Sequence, residues 1–70
     1  MKRRDTDFPQ MLKKLRERKG ISRVALSELC GLAPDSVRKY EIGEDEPRMS
    51  ALISLAEYLE VSLDSLVAKK

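Results

Sequence analysis

The amino-acid sequence predicts an all-α fold of five short helices joined by short loops. Apolar residues recur at spacings of three and four along the chain, which is the repeat of one face of a helix. Gly, Ser and Pro stand where these segments begin and end, as helix boundaries require. No stretch of useful length alternates apolar and polar residues as a half-buried strand does. The 70 residues are one small domain, which we place at 8–68 after a flexible basic arm at 1–7.

The first predicted helix runs from Asp7 to Lys19. Asp7 is suited to cap its N-terminus, Pro9 is tolerated only in the first turn, and Gly20 supplies the stop. Four residues form the apolar stripe of this helix, namely Phe8, Met11, Leu12 and Leu15.

The second and third predicted helices span Ser22–Cys30 and Ala33–Glu41. Pro34 stands in the expected first turn of the third helix. Gly31 lies in the connection, where a positive φ suits glycine, and Ser27 is small where the two helices cross. Two short helices joined by a turn of three or four residues are the helix-turn-helix arrangement.

The fourth predicted helix follows the acidic loop at 44–47 and runs from about Arg48 to Leu59. The fifth is short and is capped by Ser62, and the cations at 69–70 stand at its C-terminal end, where positive charge suits the helix dipole. The apolar face of the fourth helix is expected to contain Met49, Leu52, Ile53, Leu55, Ala56 and Leu59, and that of the fifth Leu63, Leu66 and Val67.

The composition excludes several classes of function. One cysteine and no histidine allow neither an intramolecular disulfide nor histidine catalysis, and they leave too few soft ligands for structural zinc. No apolar run approaches the ~20 residues that span a bilayer, and residues 1–9 lack the apolar core of an export signal. We therefore expect a cytoplasmic protein that is not an enzyme and has no metal, cofactor, membrane or small-molecule substrate.

The charges divide unevenly along the chain. The net charge is +2, but residues 1–40 carry eleven Lys and Arg against five Asp and Glu, which gives +6. Residues 41–70 carry three against seven, which gives −4. This division suggests a surface with one face suited to an anionic partner, although charge alone is better explained by Lys and Arg that solvate helix faces.

One combination of residues is specific: Tyr40-Glu41-Ile42-Gly43, then Pro47, Leu55-Ala56 and Val61-Ser62-Leu63-Asp64. With it, residues 8–67 resemble the helix-turn-helix domain of the lambda-repressor-like (Cro/CI, XRE) regulators of phages and bacteria. The resemblance implies that residues 34–41 form a recognition helix that enters the major groove of double-stranded DNA. It also implies a pair between Arg16 and Glu41 that orients helices. The other matching residues are Leu12, Leu15, Gly20, Ile21-Ser22, Leu26, Gly31, Val37, Leu52 and Leu59.

The resemblance points to four residues as candidate readers of DNA bases. Lys39 suits the N7 and O6 acceptors of guanine, and Arg38 suits a base or a phosphate. Asp35 suits the amino group of cytosine, and its alternative role is that of a helix-start residue. Ser36 has the same two interpretations.

Three residues are candidate phosphate ligands. Ser22 and Arg23 stand at the N-terminus of the second helix, and Arg48 follows the acidic loop. A simple N-cap is the alternative for Ser22, and a solvated helix start is the alternative for Arg48. The cations at 2–4 suit either a minor-groove arm or a solubilising terminus.

Three features depart from the family pattern. Ala33-Pro34 replaces a polar pair at the start of the recognition helix, and the three acids at 44–46 oppose DNA. Glu60 takes a helix-end position that favours glycine, and Val24 and Leu29 are apolar at usually polar positions.

The predicted function is a sequence-specific DNA-binding transcriptional regulator, a small repressor that binds a two-fold operator as a homodimer. The alternative is a protein-interaction module on the same fold with weak or no DNA binding.

Overall fold

The computed structural model describes residues 7–67 and places five α-helices in that range. They are α1 Phe8–Lys19, α2 Arg23–Leu29, α3 Ser36–Glu41, α4 Met49–Leu59 and α5 Leu63–Leu66. No strand occurs within residues 7–67. The predicted all-α fold of five short helices is therefore confirmed. The remainder of the predicted arm, at 1–6, and the cations at 69–70 lie outside the described residues.

A single core joins the five helices. Leu12 of α1, Leu26 of α2, Val37 of α3, Leu55 of α4 and Leu66 of α5 are each fully buried. Phe8 of α1 and Tyr40 of α3 meet with ring centroids 6.2 Å apart, and Cys30 packs partly buried at the edge. The apolar stripe predicted for the first helix therefore packs into the interior.

Most helix boundaries follow the local sequence. Gly20 adopts the left-handed conformation with φ 71°, and its N–H donates to the Glu17 carbonyl. The Ser22 and Ser62 hydroxyls accept the N–H groups of Ala25 and Ser65, so both serines are N-caps.

The capping role predicted for the Asp7 side chain is wrong. Asp7 occupies the N-cap position of α1, but its side chain makes no capping hydrogen bond. Its ψ is 28°, whereas Ser22 and Ser62 have the extended backbone that directs a side chain to the first helical N–H groups.

The third helix begins later than predicted, at Ser36 and not at Ala33 or Pro34. The residue before a proline disfavours the helical region, so Ala33 stays outside the helix. The Ser36 N–H donates to the Ala33 carbonyl, which closes a turn, and Asp35 becomes the N-cap. The predicted recognition helix is therefore confined to 36–41, two residues shorter than the resemblance implied.

The apolar face predicted for the fourth helix is too wide. Met49 and Ile53 are 64% and 43% exposed, whereas Ala51 is buried. The core contacts only one arc of α4, which holds Ala51, Leu55 and Leu59, and apolar residues beyond that arc remain at the surface. Leu63, expected in the stripe of the fifth helix, is also exposed, at 36%.

Candidate nucleic-acid interface

Ser27 fixes the packing of α2 against α3. Its side chain is fully buried, donates a hydrogen bond to the Arg23 carbonyl at 2.9 Å, and accepts one from the Val37 N–H at 3.1 Å. Gly31, with φ 71°, completes the connection in the positive-φ conformation that the sequence predicted. The two helices therefore form one rigid unit, held by a polar bond inside the core.

Glu41 at the end of α3 binds two arginines. Its Oε2 lies 2.6 Å from Arg16 Nε, and its Oε1 lies 3.2 Å from Arg16 Nη2 and 3.0 Å from Arg23 Nε. The Glu41 side chain is only 1% exposed. The hydrogen bond to Glu41 is the main reason that the pKa of Arg16 is raised, with the charges of Glu41 and Glu17 acting in the same direction and burial against it. The expected Arg16–Glu41 pair is present, and it connects α1 to α3.

Arg23 is therefore partly committed inside the protein. The sequence nominated it as a phosphate ligand, but its Nε is directed at Glu41. The side chain remains 38% exposed. No sequence signal at the second helix indicates this contact, since the two residues are 18 positions apart.

Arg38 and Asp35 form a two-bond pair on the exposed side of α3. Arg38 Nε lies 2.6 Å from Asp35 Oδ1, and Nη2 lies 2.7 Å from Oδ2. The hydrogen bond from Arg38 is the main cause of the lowered pKa of Asp35, and the charges of Arg38, Lys39 and Arg23 lower that pKa further, against the effect of burial. Four of the seven nominated residues therefore lie in one cluster.

The acidic loop lies beside this cluster. The Lys39 carbonyl accepts the N–H groups of Glu44 at 2.9 Å and Asp45 at 3.3 Å, so the loop is fastened to the end of α3. Glu44 Oε1 lies 3.8 Å from Arg38 Nη2. The loop thus places a second carboxylate near the guanidinium of Arg38.

Lys39 and Ser36 differ in their availability. Within the described part of the chain, the half-buried Lys39 side chain makes no ion pair or hydrogen bond. Ser36 is half-buried. Burial and the charge of Asp45 raise the pKa of Tyr40, and the Ser36 side chain acts against them. Lys39 is therefore the free cation of α3, whereas Ser36 faces its own helix.

Ser22 and Arg48 lie at the N-termini of α2 and α4. Ser22 is exposed and its hydroxyl accepts the Ala25 N–H, which is the capping role that the sequence left open. Arg48 is exposed and makes no side-chain capping bond. Both positions leave backbone N–H groups near the surface, where an anion is favoured.

The described residues contain no group of three or more His, Cys, Asp and Glu that is placed to hold a metal ion. Among them, no helix has the length and apolar character needed to cross a bilayer.

Comparison with known proteins gives three levels of similarity. A family model described as "Helix-turn-helix" matches residues 12–66. An uncharacterized HTH-type transcriptional regulator, YqaE of Bacillus subtilis, is 33% identical over 60 residues, which are 86% of this chain and 52% of that protein. The cryptic phage CTXphi transcriptional repressor RstR of Vibrio cholerae is 34% identical over 55 residues, which are 76% of this chain and 49% of that repressor. The chain spans about half the length of these curated relatives.

Solved structures share the fold. The restriction-modification controller protein C.AhdI of Aeromonas hydrophila aligns with a TM-score of 0.79 and 32% identity over 84% of this chain and 89% of that one. The P22 c2 repressor, solved in complex with a synthetic operator, aligns with a TM-score of 0.83 over 90% of this chain and 96% of that one. At 24% identity, the second similarity establishes the fold alone.

Proposed function

Because the chain belongs to the helix-turn-helix family of lambda-repressor-like (Cro/CI, XRE) regulators, we propose that it is a sequence-specific DNA-binding transcriptional regulator acting as a small repressor. The family and the relatives compared above are transcriptional regulators and not enzymes. The chain matches only about half the length of the curated relatives, so the activity of the whole protein is itself a proposal. We further propose a bacterial or phage-encoded protein that acts in the cytoplasm.

One observation carries the proposal: three cations of the joined helices, Arg23 of α2 and Arg38 and Lys39 of α3, lie close enough to act on Asp35, with Arg38 hydrogen-bonded to it. In the proposed complex α3 enters the major groove, where Lys39 donates to guanine N7 and O6. The free N-terminal N–H groups of α2 and the side chains of Ser22 and Arg48 meet phosphates. No cofactor takes part in this binding.

We propose that two copies bind a two-fold operator, since each helix-turn-helix domain reads one half-site and dimers read two half-sites about one helical turn apart. The apolar residues left exposed on α4 and α5, namely Met49, Ile53 and Leu63, offer a surface for the second copy. Occupation of the operator then excludes polymerase.

The acidic loop supports a second candidate function, a protein-interaction module on the same fold. Glu44 and Asp45 are fastened to the end of α3, and Glu44 approaches Arg38, so the loop opposes phosphates at that point. This alternative predicts weak or no binding to DNA.

The salt dependence of binding to mixed-sequence duplex DNA separates the two candidates. The regulator must lose affinity steeply as salt rises, with each phosphate contact adding about −0.9 to the slope of log K against log salt. Arg48→Gln should flatten this slope by about one unit, whereas Lys14→Gln on the exposed face of α1 should leave it unchanged. Absence of binding at about 50 mM salt would overturn the regulator and favour the interaction module.

A further inference from the structure

Two of the nominated base-reading residues of α3 bind each other. Arg38 uses Nε and one N–H of Nη2 on the two oxygens of Asp35, at 2.6 and 2.7 Å. Such a two-bond pair fixes the plane of the guanidinium as well as its position. The side chains are 39% and 53% exposed, so the pair lies at the surface that the proposed complex turns toward DNA.

The pair leaves part of the guanidinium unused. A guanidinium carries five N–H donors, and two of them are directed at Asp35. Nη1 and the second N–H of Nη2 remain, and they form a second fork on the edge away from Asp35. A fork of two parallel N–H groups is the shape that binds guanine O6 and N7 together.

Asp35, by contrast, has both of its oxygens hydrogen-bonded to Arg38. Each carboxylate oxygen already accepts a charge-assisted N–H of Arg38, which offsets the carboxylate charge and leaves only the outer lone pairs for a cytosine amino group. A carboxylate is also repelled by the phosphates of DNA unless a neighbouring cation neutralises its charge.

We propose that Asp35 is a positioning residue for Arg38: it holds the guanidinium so that the outer fork reads one guanine, and it does not itself read a base. This inference rests on the proposed function, and it names a specificity determinant within it. Asp35 thus sets sequence preference through Arg38, while its own negative charge repels the phosphates of DNA.

Glu44 provides a matched control. Its Oε1 lies 3.8 Å from Nη2 of the same guanidinium, so it is a neighbouring carboxylate that does not hold the fork by hydrogen bonds. Asp35→Asn and Glu44→Gln each remove one negative charge near Arg38. Both changes should therefore ease the approach to DNA, but only Asp35→Asn should release the guanidinium.

The test is a selection of bound duplexes from a random library with the wild-type chain, Asp35→Asn, Arg38→Gln, the double variant and Glu44→Gln. We expect the wild type to enrich a guanine at one position of each half-site. Asp35→Asn and Arg38→Gln should each reduce that preference at least about ten-fold, and at the same position. The double variant should be no worse than Arg38→Gln, since Asp35 acts only through Arg38. Glu44→Gln should keep the preference.

Different failures have different meanings. If the wild type enriches a motif and Asp35→Asn keeps its guanine, the positioning role is wrong and the proposed regulator stands. The same holds if the two single changes alter different base pairs and their effects add. If the wild type enriches nothing, the proposed function fails and the positioning role falls with it.

A measurement without DNA tests the pair itself. The Arg38 Nε–H should exchange with solvent more slowly in the wild type and in Glu44→Gln than in Asp35→Asn, observed by NMR on the folded proteins. Equal exchange in all three would contradict the proposal, since the guanidinium would then not be held.

Discussion

Arg16 of α1 and Glu41 at the end of α3 form an ion pair in which Nε lies 2.6 Å from Oε2 and the Glu41 side chain is only 1% exposed. Arg23 of α2 binds the same carboxylate at 3.0 Å. Three helices are thus connected through one buried group. The pair lies beneath the proposed DNA-binding surface, so its role is to fix the angle at which α2 and α3 are presented.

Removal of the charge at this point should destabilise the fold. Glu41→Gln leaves the mostly buried Arg16 guanidinium without its counter-charge, and we expect a loss of about 3 kcal/mol in the free energy of unfolding. Urea denaturation measures this, with Glu57→Gln on the exposed face of α4 as the control, which should change stability by less than about 0.5 kcal/mol. A loss below about 1 kcal/mol for Glu41→Gln would mean that the pair contributes little.

Ser27→Ala should also weaken the fold, for a different reason. The substitution removes the only acceptor that the structure gives the buried Val37 N–H, and an unpaired buried donor costs about 1–3 kcal/mol. The same denaturation measurement on the exposed Ser50→Ala should show a change within about 0.5 kcal/mol. If both variants have equal stability, the hydroxyl of Ser27 does not connect the two helices.

Glu60 ends α4 in the left-handed conformation, with φ 60° and ψ 45°. Glycine adopts this conformation without the Cβ strain, so we expect Glu60→Gly to raise the free energy of unfolding by about 0.5–1 kcal/mol. The exposed bond from Lys19 Nζ, 2.8 Å from Glu60 Oε1, is lost but is worth little.

The matched variant is Glu57→Gly, three residues earlier in the regular part of α4. There the same change of residue should lower the free energy of unfolding by about 1 kcal/mol. Thermal or urea denaturation of both variants measures the sign of each change in the free energy of unfolding. A destabilising effect at Glu60 as large as that at Glu57 would show that the left-handed backbone carries no strain.

Cys30 should be a slow nucleophile in the folded chain. Burial raises the pKa of its thiol above the ordinary value of 9.0, so less thiolate is present at any given pH. We expect alkylation at pH 8 to be slower in the native protein than in the same chain unfolded in urea, with the native rate rising as the pH passes 9. The folded state prefers the protonated thiol, so the contribution of this group to stability is fully present below the ordinary pKa of 9.0. That contribution is lost as the pH rises through the raised pKa of the folded state. Equal rates in both states would show that the thiol is freely accessible.

Sequence reasoning located the elements well because their ends depend on local chemistry. Gly20 and Gly31 both adopt the left-handed backbone at the positions where apolar periodicity stops, and Ser22 and Ser62 are N-caps. The predicted start of the third helix is wrong because proline at 34 suits a first turn but is not part of the helix here. The restriction that Pro34 places on Ala33 moved the start to Ser36.

The site was less accessible to sequence reasoning because its side chains choose partners in three dimensions. The Asp35–Arg38 pair has a spacing of three, and the rule for neighbours on a helix face could have indicated it. The bond between Arg23 and Glu41 joins residues 18 apart, which only the packing of α2 on α3 brings together. Exposure of Met49 and Ile53 likewise depends on which arc of α4 the core covers.

Lys39 should contribute to both affinity and sequence preference. Lys39→Gln removes the cation of α3 whose side chain makes no ion pair or hydrogen bond within residues 7–67, and we expect at least about ten-fold weaker binding to a selected duplex. Lys14→Gln, the same substitution on the exposed face of α1, should change binding less than about three-fold. Fluorescence anisotropy at constant salt measures both. Equal effects would mean that Lys39 acts only as a general positive charge.

The most direct test of the proposed regulator is the selection of bound duplexes from a random library by the wild-type chain at about 0.15 M salt. We predict enrichment of a two-fold motif with half-sites about one helical turn apart, bound by two copies of the chain. Retention of DNA without enrichment would contradict sequence-specific regulation and leave only phosphate binding. Retention of no DNA at all would contradict DNA binding altogether and favour the protein-interaction module.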